Sequence, residues 1–384
     1  MPKLDQELAM DFDDLEAPAP KRLVYKIQAA AAMLGVSDQS VRIYERESSI
    51  EVERATATGA PAVRLFTPEK VFEFAAWRRS RGLTPGLAKP LTVALYNRKG
   101  GVGKTIFTAE LACQFQLMGL RTLVIDADSQ ANTTLLMGYD PEAIVDDSNR
   151  ESGVEYNLGD LLRLPPVFSE VQPFARVVKK PYGEWGPHLV PADPRISQLE
   201  YALMTASNRD FRLIQWLKQG REQPSPELDL TPYDVIMFDL PPSVTALVNA
   251  ALLTCDLWVV PVGLDRFGFK GISSLISAVK DMKLDFSREP YLMLVPNYFN
   301  KRRLRVANIM QWLVANHKPL LSQNMIRESE DLPRNIAEHG MPVSLSAPMS
   351  PVIREDFAPL AKEILTRFAQ FKEVRRGEEE LQTA

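Results

Sequence analysis

Cysteine is scarce in this chain of 384 residues, and long apolar runs are missing. The two cysteines, Cys113 and Cys255, lie far apart within apolar segments, which argues against a disulfide framework and against a zinc site. No apolar run approaches the roughly 18 residues of a membrane span, and the first twenty residues are acidic, unlike a signal peptide. We therefore expect a soluble, cytoplasmic protein with no membrane partner.

An excess of positive charge is also absent. The 45 lysines and arginines against 49 acids give a net charge of −4, so any binding to nucleic acid must come from local basic patches. In other respects the composition is that of an ordinary folded protein, with 45% hydrophobic and 24% charged residues. A chain of this length predicts two or three domains, each able to bury a core.

Charge and residue type change along the chain and indicate its domain boundaries. Residues 1–20 carry six acids against one lysine, whereas residues 21–89 carry twelve basic residues against seven acids and show helical periodicity. Two prolines and two glycines in residues 81–90 indicate a linker. The predicted division is a flexible acidic tail (1–20), a small basic helical domain (21–88), an α/β domain (89–372) and a charged, frayed tail (373–384).

The α/β domain alternates short apolar segments with longer helical ones, which is the pattern of parallel strands with helices packed on both faces of the sheet. We therefore expect an α/β fold with a mostly parallel, doubly wound sheet. The predicted strands are Leu91–Tyr96, Thr122–Ile125, Val235–Phe238, Leu257–Val262 and Tyr291–Val295.

The strongest motif in the chain is the run Lys99-Gly100-Gly101-Val102-Gly103-Lys104-Thr105, which follows the first of these strands and precedes a helical segment. Its glycines allow a tight turn whose N–H groups point at phosphate oxygens, and the helix N-terminus adds partial positive charge. Lys104 supplies a point charge for the β- and γ-phosphates, and the Thr105 hydroxyl can bind Mg²⁺. The run therefore predicts a site for ATP and Mg²⁺.

This run differs from the usual phosphate loop, because Arg98 stands where the first glycine is expected and Lys99 follows it. A lysine at this position resembles the deviant Walker A loop of the ParA/MinD ATPases. The resemblance runs from about Leu91 to Phe371 and is of the kind seen in long ParA proteins of plasmid partition, which carry an N-terminal helix-turn-helix domain. It also includes the segments Val124–Asn132, Val190–Ala192, Tyr233–Ser243, Val260–Val262 and His339–Val343.

The resemblance implies a P-loop ATPase that forms a nucleotide-sandwich homodimer with ATP. In that dimer Lys99 would reach across the interface to the partner's phosphates. The catalytic residues that it implies are Lys99, Lys104 and Asp128. The nucleotide contacts that it implies are Gly100, Gly101, Val102, Gly103, Lys104, Thr105, Ile106 and Asn297, with Asn297 placed against adenine.

Acidic residues end two of the predicted strands. Asp239 follows one apolar strand, and Asp126 and Asp128 follow the neighbouring one, so all three carboxylates should emerge at the same edge of the sheet as the phosphate loop. By resemblance, Thr105 and Asp239 hold Mg²⁺, Asp126 lies in its outer shell, and Asp128 orients or deprotonates the attacking water. The alternatives are that these acids are solvated strand ends and that Asn297 is a turn residue.

Two residues depart from the family pattern. Ile106 replaces a second hydroxyl residue that commonly follows the loop threonine, and Ser129 replaces a proline. Neither departure removes a charged catalytic group, so ATP hydrolysis is still expected. Hydrolysis should be slow, at roughly 10⁻⁴ to 10⁻² per second, because Lys99 is the only cation expected to act in trans.

The basic N-terminal domain resembles a MerR-type winged helix-turn-helix domain. Residues 27–47 predict a helix, a tight turn and a second helix, and residues 64–69 resemble a wing strand leading into the next helix. The residues near the N-terminal half of the second helix, where side chains reach base edges in the major groove, are Gln39, Ser40 and Arg42. The alternative is a plain helical hairpin that serves dimerisation.

A second basic feature is the run Lys301–Arg305, which contains four cations in five residues after Asn297. We expect it to bind DNA without sequence preference through Arg302, Arg303 and Arg305. Together with this run, the resemblance implies a nucleoid-associated DNA-partition ATPase that is stimulated by a ParB-like adaptor, and it allows for repression of its own operon as an additional function.

Two other functions fit the same motifs. One is an ATPase that positions a cargo other than DNA, and the other is a sequence-specific transcriptional repressor whose dimer state depends on nucleotide. Membrane targeting of the MinD kind is disfavoured, because residues 373–384 lack an amphipathic apolar face.

Overall fold

The computed structural model describes residues 23–55, 62–146, 152–265 and 271–383, with side-chain surroundings up to residue 375. The predicted acidic tail, residues 1–20, lies outside these ranges. Within the described ranges, no helix is both long enough and apolar enough to cross a membrane.

The strands of the described chain form a two-stranded antiparallel hairpin and a six-stranded sheet. The strands are β1 (Glu53–Ala55), β2 (Val63–Leu65), β3 (Leu91–Leu95), β4 (Thr122–Asp126), β5 (His188–Val190), β6 (Val235–Asp239), β7 (Leu257–Gly263) and β8 (Tyr291–Asn297). The helices are α1 (Ile27–Leu34), α2 (Asp38–Glu47), α3 (Pro68–Ser80), α4 (Lys104–Leu117), α5 (Asn132–Leu136), α6 (Phe174–Val177), α7 (Ile196–Thr205), α8 (Arg212–Glu222), α9 (Ala246–Thr254), α10 (Ile272–Phe286), α11 (Leu304–His317), α12 (Asp331–His339), α13 (Val343–Ser346) and α14 (Ala358–Thr383).

The large sheet has the strand order β5-β4-β6-β3-β7-β8, and every neighbouring pair is parallel. The predicted doubly wound α/β fold is confirmed, and each of the five predicted strands ends within two residues of its expected bound. The prediction missed β5. Its three residues are too few for an apolar run to stand out, and the first is the polar His188.

Alternate residues of the central strand β3 enter two different cores. Val93 and Leu95 pack on one face with residues of α4 and α14, whereas Ala94 packs on the other face with residues of α9. All residues of β3, β4 and β6 are buried. Helices covering both faces explain why these strands are continuously apolar in sequence instead of alternating.

The N-terminal domain consists of α1, α2, the β1–β2 hairpin and α3. Helices α1 and α2 together span the predicted residues 27–47, and the turn between them contains Gly35 at a left-handed φ of 63°. The Ser37 hydroxyl accepts the Ser40 N–H at 3.1 Å and so caps α2. The hairpin pairs Arg54 with Arg64, and Thr67 caps α3 in the same way as Ser37 caps α2.

Helix α3 attaches this domain to the α/β domain by packing on α4. Its apolar residues share a buried core with Cys113 and Leu117 of α4. The chain after α4 comes so close to α3 that a Cβ on Gly119, which has a φ of 82°, would lie 2.6 Å from the Ala75 carbonyl oxygen. Glycine is therefore required at 119 both by conformation and by space.

Polar contacts reinforce this docking. The guanidinium of Arg79 lies against the Asp234 carboxylate, with Nη2 and Oδ1 2.7 Å apart, and it also donates to the Gly119 carbonyl at 3.1 Å. The Tyr25 hydroxyl donates to the Leu345 carbonyl at 2.8 Å. Residues 81–90, predicted as a linker, therefore connect two packed bodies and do not act as a loose tether.

The C-terminal segment differs from the prediction. Residues 373–384 were expected to form a separate, frayed tail, but α14 runs without a break from Ala358 to Thr383. Glutamate and arginine are good helix formers, so the charged sequence prolongs a helix that the core has already nucleated. At the start of this part, Arg375 donates to the Glu289 carbonyl at 3.2 Å.

Candidate nucleotide site at the carboxyl edge of the sheet

The glycine-rich loop lies between β3 and α4, at the middle of the carboxyl edge, because β3 is flanked by β6 and β7. Gly101 and Gly103 have φ angles of 69° and 86°, in the left-handed region that favours glycine. Such conformations turn successive N–H groups toward one side and form a concave anion site. Because α4 begins at Lys104, its N-terminal partial charge adds to this site.

The Asp239 carboxylate ends β6 and accepts hydrogen bonds from three threonine hydroxyls. Thr105 and Thr133 donate to Oδ2 at 3.1 and 2.6 Å, and Thr108 donates to Oδ1 at 3.1 Å. Carboxylate and hydroxyl oxygens are the donors that Mg²⁺ prefers, so the contact between Thr105 and Asp239 fits the predicted metal position. The sequence analysis missed Thr108 and Thr133, although Thr108 lies one helical turn after Thr105 on the same face.

Asp126 lies beside Asp239, because the register of β4 and β6 pairs these two residues. Its Oδ2 accepts the Thr134 N–H at 2.9 Å and hydroxyl at 2.8 Å, and its Oδ1 accepts the Asp128 N–H at 3.2 Å. Burial, and then the neighbouring charge of Asp239, raise the pKa of Asp126 well above its ordinary value. Asp126 therefore orders the turn that carries Asp128, and its place in the outer Mg²⁺ shell stays a prediction.

Besides Asp239 and Asp126, two charged residues lie beside the glycine-rich loop, and they are Lys104 and Asp128. Lys104 is buried, and this burial lowers the pKa of its ammonium, while the charges of Asp239 and Asp128 act in the opposite direction. Asp128 is half-buried, and its Oδ1 accepts the Gln130 N–H at 3.0 Å. The structure thus brings Lys104, Asp128 and Asp239 together, as the sequence predicted.

Lys99 points elsewhere. Its ammonium contacts the Asp265 carboxylate just beyond β7, and the two side chains are 32% and 41% exposed. Its N–H donates to the side chain of the buried Asn97 at 2.9 Å, and Asn97 in turn donates to the Pro261 carbonyl at 2.8 Å. The two lysines of the loop therefore diverge, Lys104 toward Asp239 and Lys99 toward Asp265. The sequence analysis did not identify Asp265.

Asn297, at the end of β8, also reaches the loop. It is buried, its Nδ2 donates to the Val102 carbonyl at 2.9 Å, and its Oδ1 accepts the Tyr298 N–H at 2.8 Å. The Tyr298 hydroxyl donates to the Gly101 carbonyl at 3.2 Å. The structure therefore places Asn297 against the loop backbone, and its adenine contact stays a prediction. Tyr298 was missed by the sequence analysis.

The other predicted loop residues differ in exposure. Gly100 is exposed, Val102 is buried, and Ile106 is half-buried at the margin of the core formed by α4 and α14. The Ile106 side chain has no polar atom, so at this position only backbone N–H groups can hold a phosphate.

The predicted base-reading residues lie at the start of α2. Gln39 and Arg42 are exposed, whereas the Ser40 hydroxyl is half-buried and lies 2.9 Å from the Ser37 hydroxyl. A shallow groove between α2 and the β1–β2 hairpin adds three arginines that the sequence analysis did not single out. The arginines lining it are Arg42, Arg46, Arg54 and Arg64.

An acid within this groove holds two of the arginines in place. Glu45 accepts Arg54 Nη2 at 2.8 Å and Arg64 Nε at 2.5 Å. Partial burial would raise the pKa of Glu45, but the hydrogen bonds and charges of the two arginines lower it overall. Glu45 therefore stays ionised and fixes the hairpin relative to α2.

The basic run after β8 lies at the start of α11, and its side chains are exposed. Arg303 already has an acidic partner, because its Nη2 lies 2.9 Å from Glu328 Oε1. Farther along, Arg327 is bound to Asp356 at 2.9 Å and to Glu355 at 3.0 Å. Of the predicted DNA contacts in this run, Arg302 and Arg305 therefore offer the more available charges.

Comparison with known proteins agrees with the fold. A family model described as "AAA domain" matches residues 91–289. The chain is 27% identical over 339 residues to the cell division protein PomZ of Myxococcus xanthus, which covers 88% of this chain and 90% of that protein. It is 26% identical over 286 residues to the chromosome-partitioning ATPase Soj of Thermus thermophilus, which covers 73% of this chain and 97% of that protein.

Among solved structures, a plasmid partition protein from Borrelia burgdorferi bound to AMPPNP has the same fold. Its TM-score is 0.54 at 19% identity, over 73% of this chain and 99% of that chain. The family match covers half of the sequence described here, and ATP with Mg²⁺ fits the loop, the threonine and the carboxylate at the sheet edge. The chain therefore belongs to the ParA/MinD family of P-loop ATPases and is an ATPase that uses ATP and Mg²⁺.

Proposed function

We propose that this chain is a DNA-partition ATPase that forms a homodimer with ATP, binds DNA without sequence preference as a dimer, and releases it after hydrolysis. The observation that carries the proposal is the divergence of the two loop lysines. Lys104 is buried against Asp239 and serves the nucleotide of its own protomer. Lys99 is partly exposed at the same edge and is available to a second protomer once it leaves Asp265.

The residues of the site divide the reaction among them. Lys104 and the loop N–H groups hold the phosphates, and Thr105 with Asp239 holds Mg²⁺, which neutralises phosphate charge when it is bound. Asp128 is half-buried beside them and orients the attacking water. Within one protomer, Lys104 is the cation that acts on Asp239 and Asp128, whereas Lys99 pairs with Asp265, so we expect slow basal hydrolysis and stimulation by a ParB-like adaptor.

We propose that the N-terminal domain is a winged helix-turn-helix that reads specific DNA and allows autorepression. Support comes from the helix bounds of α1 and α2 and from the arginine-lined groove beside the hairpin. The alignment with PomZ, at 339 residues, is also longer than the segment 89–372, so that likeness extends beyond the ATPase domain. Gln39 and Arg42, exposed on α2, are the proposed base contacts, with Ser40 beside them.

One alternative has its own support. The relative that aligns over 88% of this chain is named a cell division protein, which favours an ATPase that positions a cargo other than DNA. The two proposed functions use the same ATP chemistry and differ in the adaptor. A purified ParB-like protein encoded beside this chain should stimulate its hydrolysis if partition is the function, and should leave it unchanged otherwise.

The deciding experiment is binding of random duplex DNA by the full-length protein, measured by fluorescence anisotropy across a salt series. With ATP we expect binding, and with ADP or no nucleotide we expect at least tenfold weaker binding. Changing Arg302 and Arg305 to Ala should reduce the slope of log K against log salt by about 2 per protomer. Arg303→Ala is the matched control, because Arg303 is already paired with Glu328 and should change the slope less.

Equal binding of random DNA with ATP and ADP would contradict the proposed cycle. If the protein binds only the DNA upstream of its own gene, with any nucleotide or none, the result would favour a sequence-specific transcriptional repressor instead. An unaltered slope in the double variant would place the non-specific DNA surface elsewhere while leaving the partition function standing.

A further inference from the structure

Two residues at the end of β8, Asn297 and Tyr298, donate side-chain hydrogen bonds to backbone carbonyls of the phosphate loop. The Tyr298 hydroxyl donates to the Gly101 carbonyl at 3.2 Å, and the Asn297 amide donates to the Val102 carbonyl at 2.9 Å. Two consecutive peptide units of the loop are thus attached to one strand end. The contacts are non-local, since Tyr298 is separated from Gly101 by 197 positions in the chain.

The direction of these contacts determines what the loop presents on its other side. In a trans peptide the carbonyl of one residue and the N–H of the next point in opposite directions. Attaching the Gly101 and Val102 carbonyls to β8 therefore turns the N–H groups of Val102 and Gly103 away from β8. Those are the groups that a phosphate loop offers to the α- and β-phosphates.

The supporting strand end is itself firmly held. The register of β7 and β8 pairs Gly263 with Asn297, and the Asn297 carbonyl accepts the Leu264 N–H at 3.2 Å. On the other side, the Phe299 N–H donates to the Ile326 carbonyl at 3.0 Å. A rigid support of this kind can fix the loop before the nucleotide arrives, which reduces the ordering cost of binding.

Tyr298 makes this contact from an uncommon backbone conformation. Its φ is 59°, which is uncommon for a bulky residue and costs free energy that the rest of the structure must supply. The residue is 42% exposed, so a tyrosine is not required here to fill a core. Partial burial raises the pKa of Tyr298, which keeps its hydroxyl protonated as a donor.

The loop residue Gly103 lies close to the side chains of Asn297 and Tyr298. A Cβ on Gly103 would lie 3.0 Å from Asn297 Nδ2 and 3.7 Å from the Tyr298 hydroxyl. Glycine at 103 therefore allows both the left-handed turn and the close approach of the β8 end.

We propose that Tyr298, together with Asn297, is a positioning residue that orients the phosphate loop for nucleotide binding. It acts on the loop backbone and not on the base or on the reacting phosphate. The inference rests on the proposed phosphate site at residues 100–105, and it is independent of the DNA-partition function.

The test is Tyr298→Phe in the full-length protein, which removes one hydroxyl and keeps the ring. We expect the Kd for Mg·ATP and for Mg·ADP to rise about fivefold, the scale of one lost hydrogen bond. The KM for ATP should rise by the same factor while kcat changes less than twofold, because Lys99 and Asp128 are untouched. The matched control is Tyr291→Phe, at the other end of the same strand, where the ring packs on Phe371. It should leave both constants unchanged.

Tripolyphosphate has no base, so its affinity shows whether Tyr298 acts on the phosphate loop or contacts adenine. The affinity is measured by the displacement of labelled ATP. If Tyr298 orients the loop, Tyr298→Phe weakens tripolyphosphate and ATP by the same factor. Weakening of ATP alone would show that the residue contacts adenine, and would overturn the inference.

A second variant separates the hydroxyl from the backbone conformation. Tyr298→Asn tolerates a positive φ but is too short to reach the Gly101 carbonyl. It should bind nucleotide as weakly as Tyr298→Phe, with a melting temperature equal to or above that of the wild type. Wild-type affinity in either variant would overturn the inference. If Lys104→Ala also binds ATP with wild-type affinity, the assignment of the phosphate loop itself is wrong, and this result is distinct from a failure of the Tyr298 proposal.

Discussion

The two ends of helix α4 differ in almost every property. Its first turn carries Lys104 and Thr105, whose polar atoms lie among buried carboxylates and hydroxyls. Its last turns carry Cys113 and Leu117, which pack in an apolar core with α3 of the N-terminal domain. The role of the first end depends on the direction of its hydrogen bonds and on its charges, whereas the role of the second end depends on how its apolar side chains pack. Variants at the first end should therefore change nucleotide chemistry, and variants at the second should change stability.

The largest expected effect is at the first end. Lys104→Ala should abolish measurable ATP binding, because the loop loses its fixed charge on the β- and γ-phosphates. The nucleotide-free protein should unfold at or above the wild-type temperature, because the buried ammonium is itself costly to desolvate. Calorimetric titration with Mg·ATP measures the affinity. Lys99→Ala is the matched control and should bind ATP as a monomer with nearly normal affinity, since its ammonium faces Asp265.

A second effect at this end separates hydrolysis from binding. Asp128→Ala should keep ATP affinity within about threefold, because Asp128 does not hold the phosphates, and should lower the hydrolysis rate by about 10² or more. Phosphate release under single-turnover conditions measures the rate. Ser129→Ala, one residue along the same turn, should hydrolyse ATP normally. An Asp128→Ala protein that matches the wild-type rate, with or without DNA, would refute the assigned role.

At the other end of α4 the expected effect is on stability. Gly119→Ala should lower the free energy of unfolding by about 3 kcal/mol, because it combines a left-handed φ of 82° with a Cβ placed 2.6 Å from the Ala75 carbonyl. Gly138→Ala is a matched control, because its φ is 91° and no atom lies within 4 Å of the new Cβ. It should cost only about 1 kcal/mol.

Urea unfolding of both variants measures the difference, which reports the contact between α3 and α4. Equal losses in the two variants would show that this close approach does not stabilise the docked domain. ATP affinity of the folded fraction should be normal in both, because the substitutions lie far from the loop along the chain.

The same contrast explains how much the sequence could predict. The loop, its lysines and the acids at strand ends are short contiguous patterns whose chemistry follows from residue type and spacing, and the structure brings Lys104, Asp128 and Asp239 together as expected. The five longer strands are buried on both faces and so appear as apolar runs. These features depend on information that lies within a few residues.

The features that were missed depend on partners far apart in the chain. Asp265 meets Lys99 across 166 positions, and only the order of β3 and β7 in the sheet brings them together. The docking of α3 on α4 depends on a glycine at 119 whose role is invisible without the opposing helix. The segment after residue 373 is helical although its charge predicts fraying, because its residues favour helix once α14 has begun.

The smallest expected effect concerns the ion pair that turns Lys99 away from its own loop. If Lys99 serves the partner's phosphates, it must first leave Asp265. Because the two side chains are 32% and 41% exposed, the pair should stabilise the monomer by no more than about 1 kcal/mol. Asp265→Asn removes the charge with little change of shape, so ATP-dependent dimerisation should strengthen by about two- to fivefold. Light scattering over a concentration series with ATP measures the dimer fraction.

Two controls tie this effect to the ion pair. The gain should shrink at high salt, because salt screens exposed charges, and it should disappear when Asp265→Asn is combined with Lys99→Ala. An equal gain in the Lys99→Ala background would show that Asp265 acts on the dimer through other contacts. No gain at low salt would mean that release of Lys99 does not limit dimerisation. The divergence of the two lysines would then be a feature of the single protomer only, and the in-trans role would be tested by Lys99→Ala alone.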